Sequence, residues 1–166
     1  ISSSAGALSE IGGDLVVQSF SGPASAGPAT TITVTDTTAN TGAAAIGASI
    51  TRFYLSTNAA LDASDIQLDG THAVPALAAG ASHTASTVVT IPASIATGSW
   101  FLFAKADGDN TVPETQESNN TSTRTIQIGS DLVISSITVP AKGGAGLPIT
   151  IGDTTTNQGA AATPPT

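Results

Sequence analysis

The chain has 166 residues, about one domain and a remainder, and its 40% hydrophobic against 10% charged content suits a packed core rather than a disordered polymer. Twelve acidic against four basic residues, a net charge of −8, exclude nucleic acid and anionic membrane as partners, because phosphates need a basic surface. Without Cys there are no disulfides, thiol nucleophiles or thiolate metal sites, and no apolar run approaches the ~20 residues of a membrane-spanning helix.

Residues 1–13 (ISSSAGALSEIGG) lack the basic start and apolar centre of a signal peptide and read as a leader or linker. No Met occurs, even at position 1, as expected of a processed chain or an excerpt. A first strand is predicted over 14–21 (DLVVQSFS), stopped by Gly22-Pro23. Residues 31–40 (TITVTDTTAN) alternate Ile32 and Val34 with threonines, so one face is buried and the other wet. Further strands are predicted over 50–56, 66–74, 82–91, 98–106 and 122–128. The sixth, GSWFLFAKA, is the most apolar and is expected at a sheet centre. A short helical turn is expected at 59–65. Turn residues separate the strands as in a sandwich, and no helical period interrupts them. The expected core is Val16, Ile32, Val34, Phe53, Leu55, Val89, Ile91, Trp100 and Leu102. Abundant Ala, Thr, Ser and Gly with little Lys is a composition familiar in secreted bacterial surface proteins, so an extracellular or cell-surface location is expected.

After a linker at 129–130 the pattern restarts. Residues 14–43 and 131–160 superpose without a gap, pairing Asp14 with Asp131, Ile32 with Ile149, Asp36 with Asp153, Asn40 with Asn157 and Gly42 with Gly159. The repeat period is therefore a whole domain. Residues 131–166 hold the first two strands of a second copy, and two strands alone bury too little to be stable. Their apolar positions Leu132, Ile134, Ile137, Ile149 and Ile151 are the candidate assembly residues, expected to be ordered by another copy or a neighbouring repeat.

Chemistry-bearing residues are few. His72 and His83 have no nucleophile motif near them and read as surface or strand-face histidines. Asp107, Asp109, Glu114 and Glu117, with nearby Asn119 and Asn120, form the densest set of oxygen ligands. They are candidate calcium ligands, although their spacing is not that of an EF-hand. The other reading is a solvated hairpin in which Asp and Asn cap backbone amides and Glu117 and Asn120 lock the loop. Asp62, Asp65 and Asp69 form a weaker cluster of the same kind. Trp100, Phe101 and Phe103 share one strand, where a buried sandwich Trp is favoured over a sugar-stacking platform.

Several segments together resemble the CARDB family, the cell-adhesion-related domain found in bacteria. They are Asp14-Leu15-Val16-Val17, Phe53-Tyr54-Leu55-Ser56, Val74-Pro75-Ala76-Leu77 with Ala79-Gly80, Ala104-Lys105-Ala106-Asp107, and Glu114-Thr115-Gln116-Glu117-Ser118-Asn119-Asn120. The resemblance covers 14–128 and restarts at Asp131; Trp100 stands where the family more often has Tyr. It implies an all-β, immunoglobulin-like seven-stranded sandwich used in tandem arrays with an adhesive role. It implies neither a catalytic site nor a required cofactor. The expected function is a non-catalytic structural or adhesive module that pairs with its own copies or neighbouring repeats. The alternative is a polysaccharide-binding accessory module of a secreted hydrolase.

Overall fold

The structure, a computed structural model, describes residues 12–130, 132–159 and 161. They form ten strands and, among the described residues, no helix: β1 (Leu15–Ser21), β2 (Ser25–Ala26), β3 (Thr31–Asn40), β4 (Ser49–Ser56), β5 (Ile66–Val74), β6 (Ser82–Thr90), β7 (Gly98–Lys105), β8 (Thr121–Ile128), β9 (Leu132–Thr138) and β10 (Gly152–Asn157). One sheet has the order β1-β3-β6, the second the order β2-β8-β7-β4-β5, and β9 and β10 form a separate hairpin. The fold is all-β, as expected, and each of the seven predicted strands is present to within a residue at either end. β7 does lie at the centre of its sheet. β2 is an addition with no signal in sequence. It pairs parallel with Gln127 and Ile128 of β8 and sinks Ala26 into the core. The expected helical turn at 59–65 is instead a tight turn. Asp62 accepts the Ser64 amide at 2.8 Å, and the Asp62 amide donates to Asp65 at 2.7 Å, so no helical ladder continues.

Alternation sets the core. In β3 the inward positions are Ile32, Val34, Asp36, Thr38 and Asn40, and Phe53, Leu55, Val89, Ile91, Leu102, Ala104, Ile126 and Ile128 meet their apolar members from the other strands. Seven of the nine expected core residues are buried. Val16 is not. Leu15 takes the buried position, because β1 carries a bulge: Val17 pairs with Thr38 but Ser19 with Thr37, leaving Gln18 unpaired. The bulge changes the parity of the strand, so Leu15, Val17 and then Phe20 face inward, and the Phe20 ring stacks on Phe53 with centroids 6.0 Å apart. Trp100 is half-buried, with its ring on the core margin and Nε1 donating to the Ala96 carbonyl at 2.9 Å.

A second irregularity shapes the far edge. Arg52 pairs with Thr71 but Tyr54 with Gln67, so β5 spends residues 68–70 opposite one residue of β4. The bulge turns β5 toward β6 in the other sheet. A Cβ on Gly70 would lie 2.5 Å from the Val88 carbonyl oxygen, so the approach requires Gly. Next to it Asp69 accepts the Thr90 amide at 2.8 Å and the Thr90 hydroxyl at 2.7 Å, and these bonds hold its carboxyl below the usual range.

Candidate functional site

Three places hold the chemistry-bearing residues: the loop between β7 and β8, the β5–β6 edge, and the β9–β10 hairpin. In the loop each acidic side chain has its own protein partners. Asp107 is fully buried with φ of 40°, and its carboxylate accepts the amides of Thr111 at 3.2 Å and Val112 at 2.9 Å. Asp109 pairs with Arg52, whose Nη2 lies 3.0 Å from Oδ2; the hydrogen bond to the guanidinium holds Asp109 below the usual carboxylate range. Glu114 accepts the Leu15 amide through Oε2 and the Asn120 Nδ2 at 2.8 Å through Oε1. Glu117 accepts the Glu114 amide at 3.0 Å. Glu117 and Asn120 bond to Glu114 within the loop, and Glu114, through the Leu15 amide, clamps it to the start of β1. Among the described residues no three His, Asp or Glu side chains form a metal-holding group, and Asp62, Asp65 and Asp69 divide between a turn and the β5–β6 edge.

Asn40 continues the clamp. Fully buried, it accepts the amides of Asp14 and Gly42 at 3.1 Å each and donates to the carbonyls of Ala44, Leu77 and Ala78 at 2.8, 3.1 and 3.2 Å. Asp14 in turn accepts the Asn119 amide group at 3.0 Å and the Thr41 hydroxyl at 2.6 Å.

Burial, with smaller contributions from the charges of Glu117 and Asp107, pushes Glu114 from 4.5 up to about 7. Between those values the folded protein binds a proton that the unfolded chain releases. This contribution to stability is complete below about 4.5 and is lost as pH rises through 7. Glu114→Gln should remove that component. The urea midpoint of the wild type, measured relative to the variant, should fall between pH 5 and 8. Parallel pH profiles would show that Glu114 ionises as an ordinary carboxylate.

Both histidines lie on strand faces, one of the two sequence readings; the surface reading fails for His72. His72 is 2% exposed and His83 half-buried, and they meet across the two sheets. His72 Nδ1 lies 2.9 Å from Asp36 Oδ2 and 3.0 Å from Oδ1, and its Nε2 lies 2.7 Å from His83 Nδ1. Thr38 donates to Asp36 at 3.1 Å and shares a 2.7 Å contact with Thr51. Parity carried a signal for this. Asp36 falls on the face of Ile32 and Val34, and His72 on that of Val74.

The β9–β10 hairpin repeats β1–β3 in register. Leu132 pairs with Asn157 as Leu15 pairs with Asn40, and Ile137 with Asp153 as Phe20 with Asp36. The bulge recurs too: β9 skips Ser135, the position 117 residues after Gln18. Asn157 accepts the Gly159 amide at 3.0 Å, as Asn40 accepts that of Gly42, and Thr155 donates to Asp153 at 3.1 Å, as Thr38 donates to Asp36. The difference is cover. Leu15 is fully buried, while Leu132, Ile134, Ile137, Ile149 and Ile151 are 53–66% exposed.

The sequence profile of the CARDB family matches residues 12–124. The chain belongs to the CARDB family. Its CARDB unit is similar in fold to the CARDB domain of a Pyrococcus furiosus protein solved in complex with di-metal ions: 20% identity, TM-score 0.53, covering 71% of this chain and 94% of that one. It is also similar to a domain of a candidate cell surface protein from Methanosarcina acetivorans, at 26% identity and TM-score 0.51, covering 70% of this chain and 91% of that one. Among curated proteins none matches the chain. The CARDB match ends within β8, so the register-identical hairpin lies outside it.

Proposed function

We propose that this protein is a non-catalytic adhesive or structural module of a bacterial cell surface, and that it joins further copies of itself or neighbouring repeats through the β9–β10 hairpin. The observation that carries this reading is the hairpin itself. It keeps the register, bulge and Asn turn of β1–β3, yet exposes an apolar face that the first copy buries. Exposed strand edges and apolar faces favour pairing with another chain, and a head-to-tail contact of this kind builds an open array. The family and the cell-surface relative support the location. The net charge of −8 agrees with partners other than nucleic acid.

The test keeps the full chain and changes only exposed positions. Sedimentation velocity of the wild type should show concentration-dependent association, and the double variant Ile134→Glu, Ile151→Glu should remain monomeric with an unchanged main unfolding transition. A wild type that stays monomeric at hundreds of micromolar would remove self-assembly. In this reading the β7–β8 loop is a structural lock. A melting-temperature rise with calcium, absent with sodium at matched ionic strength, would assign the loop to metal instead.

A further inference from the structure

β5 and β6 are edge strands of opposite sheets and close one side of the sandwich without sharing a ladder. Polar contacts join them: Asp69 to Thr90, and His72 to His83. The second belongs to a chain of three groups, and the protons in that chain can be counted.

Asp36 is fully buried and faces only one ring nitrogen, His72 Nδ1, at 2.9 Å; a carboxylate can only accept, which assigns the Nδ1 proton to this contact. The 2.7 Å contact between His72 Nε2 and His83 Nδ1 then holds one proton. In the neutral pair His83 Nδ1–H donates to a bare His72 Nε2. With one proton added, either ring carries the charge, one N–H still lies between them, and the −1 of Asp36 balances the +1. A second added proton places N–H against N–H across that contact with two adjacent positive charges. Nothing else facing the pair relieves this. β3 contributes Asp36 alone. β4 offers Arg52, engaged with Asp109, and Tyr54. β5 adds Asp69, engaged with Thr90, and His83 is the sole ionisable side chain of β6.

We propose that Asp36, His72 and His83 form a proton-operated latch on the β5–β6 edge, shut with no or one added proton and forced open by two. An unfolded or opened chain takes both protons below about pH 6.5, the ordinary histidine range. The closed edge then holds one proton fewer than the open one. By linkage its closing equilibrium weakens as pH falls, up to about tenfold per pH unit. Opening is local, because it releases the two edge strands β5 and β6, which fray from their single ladder partners β4 and β3, and leaves the ladder between β7 and β8 intact.

Amide hydrogen exchange on the 166-residue chain tests this, with intrinsic rates corrected and β7 and β8 as internal reference. From pH 7 to pH 5, protection of β5 and β6 relative to β7 and β8 should fall by up to about tenfold per pH unit. In His83→Gln, which keeps a hydrogen-bonding group but cannot charge, it should stay constant. Glu114 acts with the opposite sign but is present in both proteins, so their difference isolates the latch. Imidazole NMR of the wild type gives a second readout that needs no variant. The two rings together should take up one proton while the edge remains protected. Uptake of two protons with β5–β6 protection unchanged, or equal loss of protection in wild type and variant, would overturn the latch.

Discussion

Asn40→Ala is expected to lower stability by about 3–5 kcal/mol, because it strands the part-buried amides of Asp14 and Gly42 and the carbonyl of Ala44 at once, while the Leu77 and Ala78 carbonyls keep the Ile46 and Ala81 amides; each unpaired group costs about 1–3 kcal/mol, partly recovered by entering water. Its two amide partners, Asp14 and Gly42, and three carbonyl partners, Ala44, Leu77 and Ala78, tie the start of β1 and two loops to the end of β3. The matched change Asn157→Ala provides the control. That side chain makes the equivalent bonds, to Gly159 and Ala161, at an exposed position, and surface changes of this kind cost within about 0.5 kcal/mol. Urea denaturation of both variants reads the contrast. Equal effects would show that the hairpin is as firmly covered in solution as the first copy.

Phe53→Ala should cost about 3–5 kcal/mol, the range for deleting a fully buried aromatic ring and leaving a cavity. Phe53 is fully buried in the main core cluster and stacks on Phe20, the residue that the β1 bulge turns inward. Phe20→Ala should cost less, since its ring is only partly buried. A Phe53 loss below about 1 kcal/mol would mean that the two sheets do not pack around this ring. Thermal unfolding at fixed pH, away from the titrations of Glu114 and the histidine pair, is the appropriate measurement.

Much of the architecture could be read from residue order. Ile32 and Val34 alternating with threonines named β3 and its buried face, and Gly-Pro and Asn-Thr-Gly marked where strands stop. The gapless match of 14–43 to 131–160 anticipated a hairpin that repeats β1–β3 down to the pairing of Leu132 with Asn157. These features are local, with period two along a strand and fixed offsets in a turn, so a linear string records them.

What the sequence by itself determined was therefore the all-β class, the strands, most of the core and the repeat. Only the tertiary structure decided which carboxylates meet which partners. Asp107, Asp109, Glu114 and Glu117 cluster along the chain, yet each goes to a different neighbour, including Arg52 and Leu15 on distant strands. Asp36, His72 and His83 are scattered along the chain, yet converge within hydrogen-bond distance. The bulge at Gln18 changed side-chain parity and that at residues 68–70 steered β5 onto β6, and neither has a marker in composition beyond Gly70. The reason is physical: hydrogen-bond partners across a sandwich are set by sheet order and register, which arise only when both sheets pack, whereas alternation and turns are set by neighbouring residues.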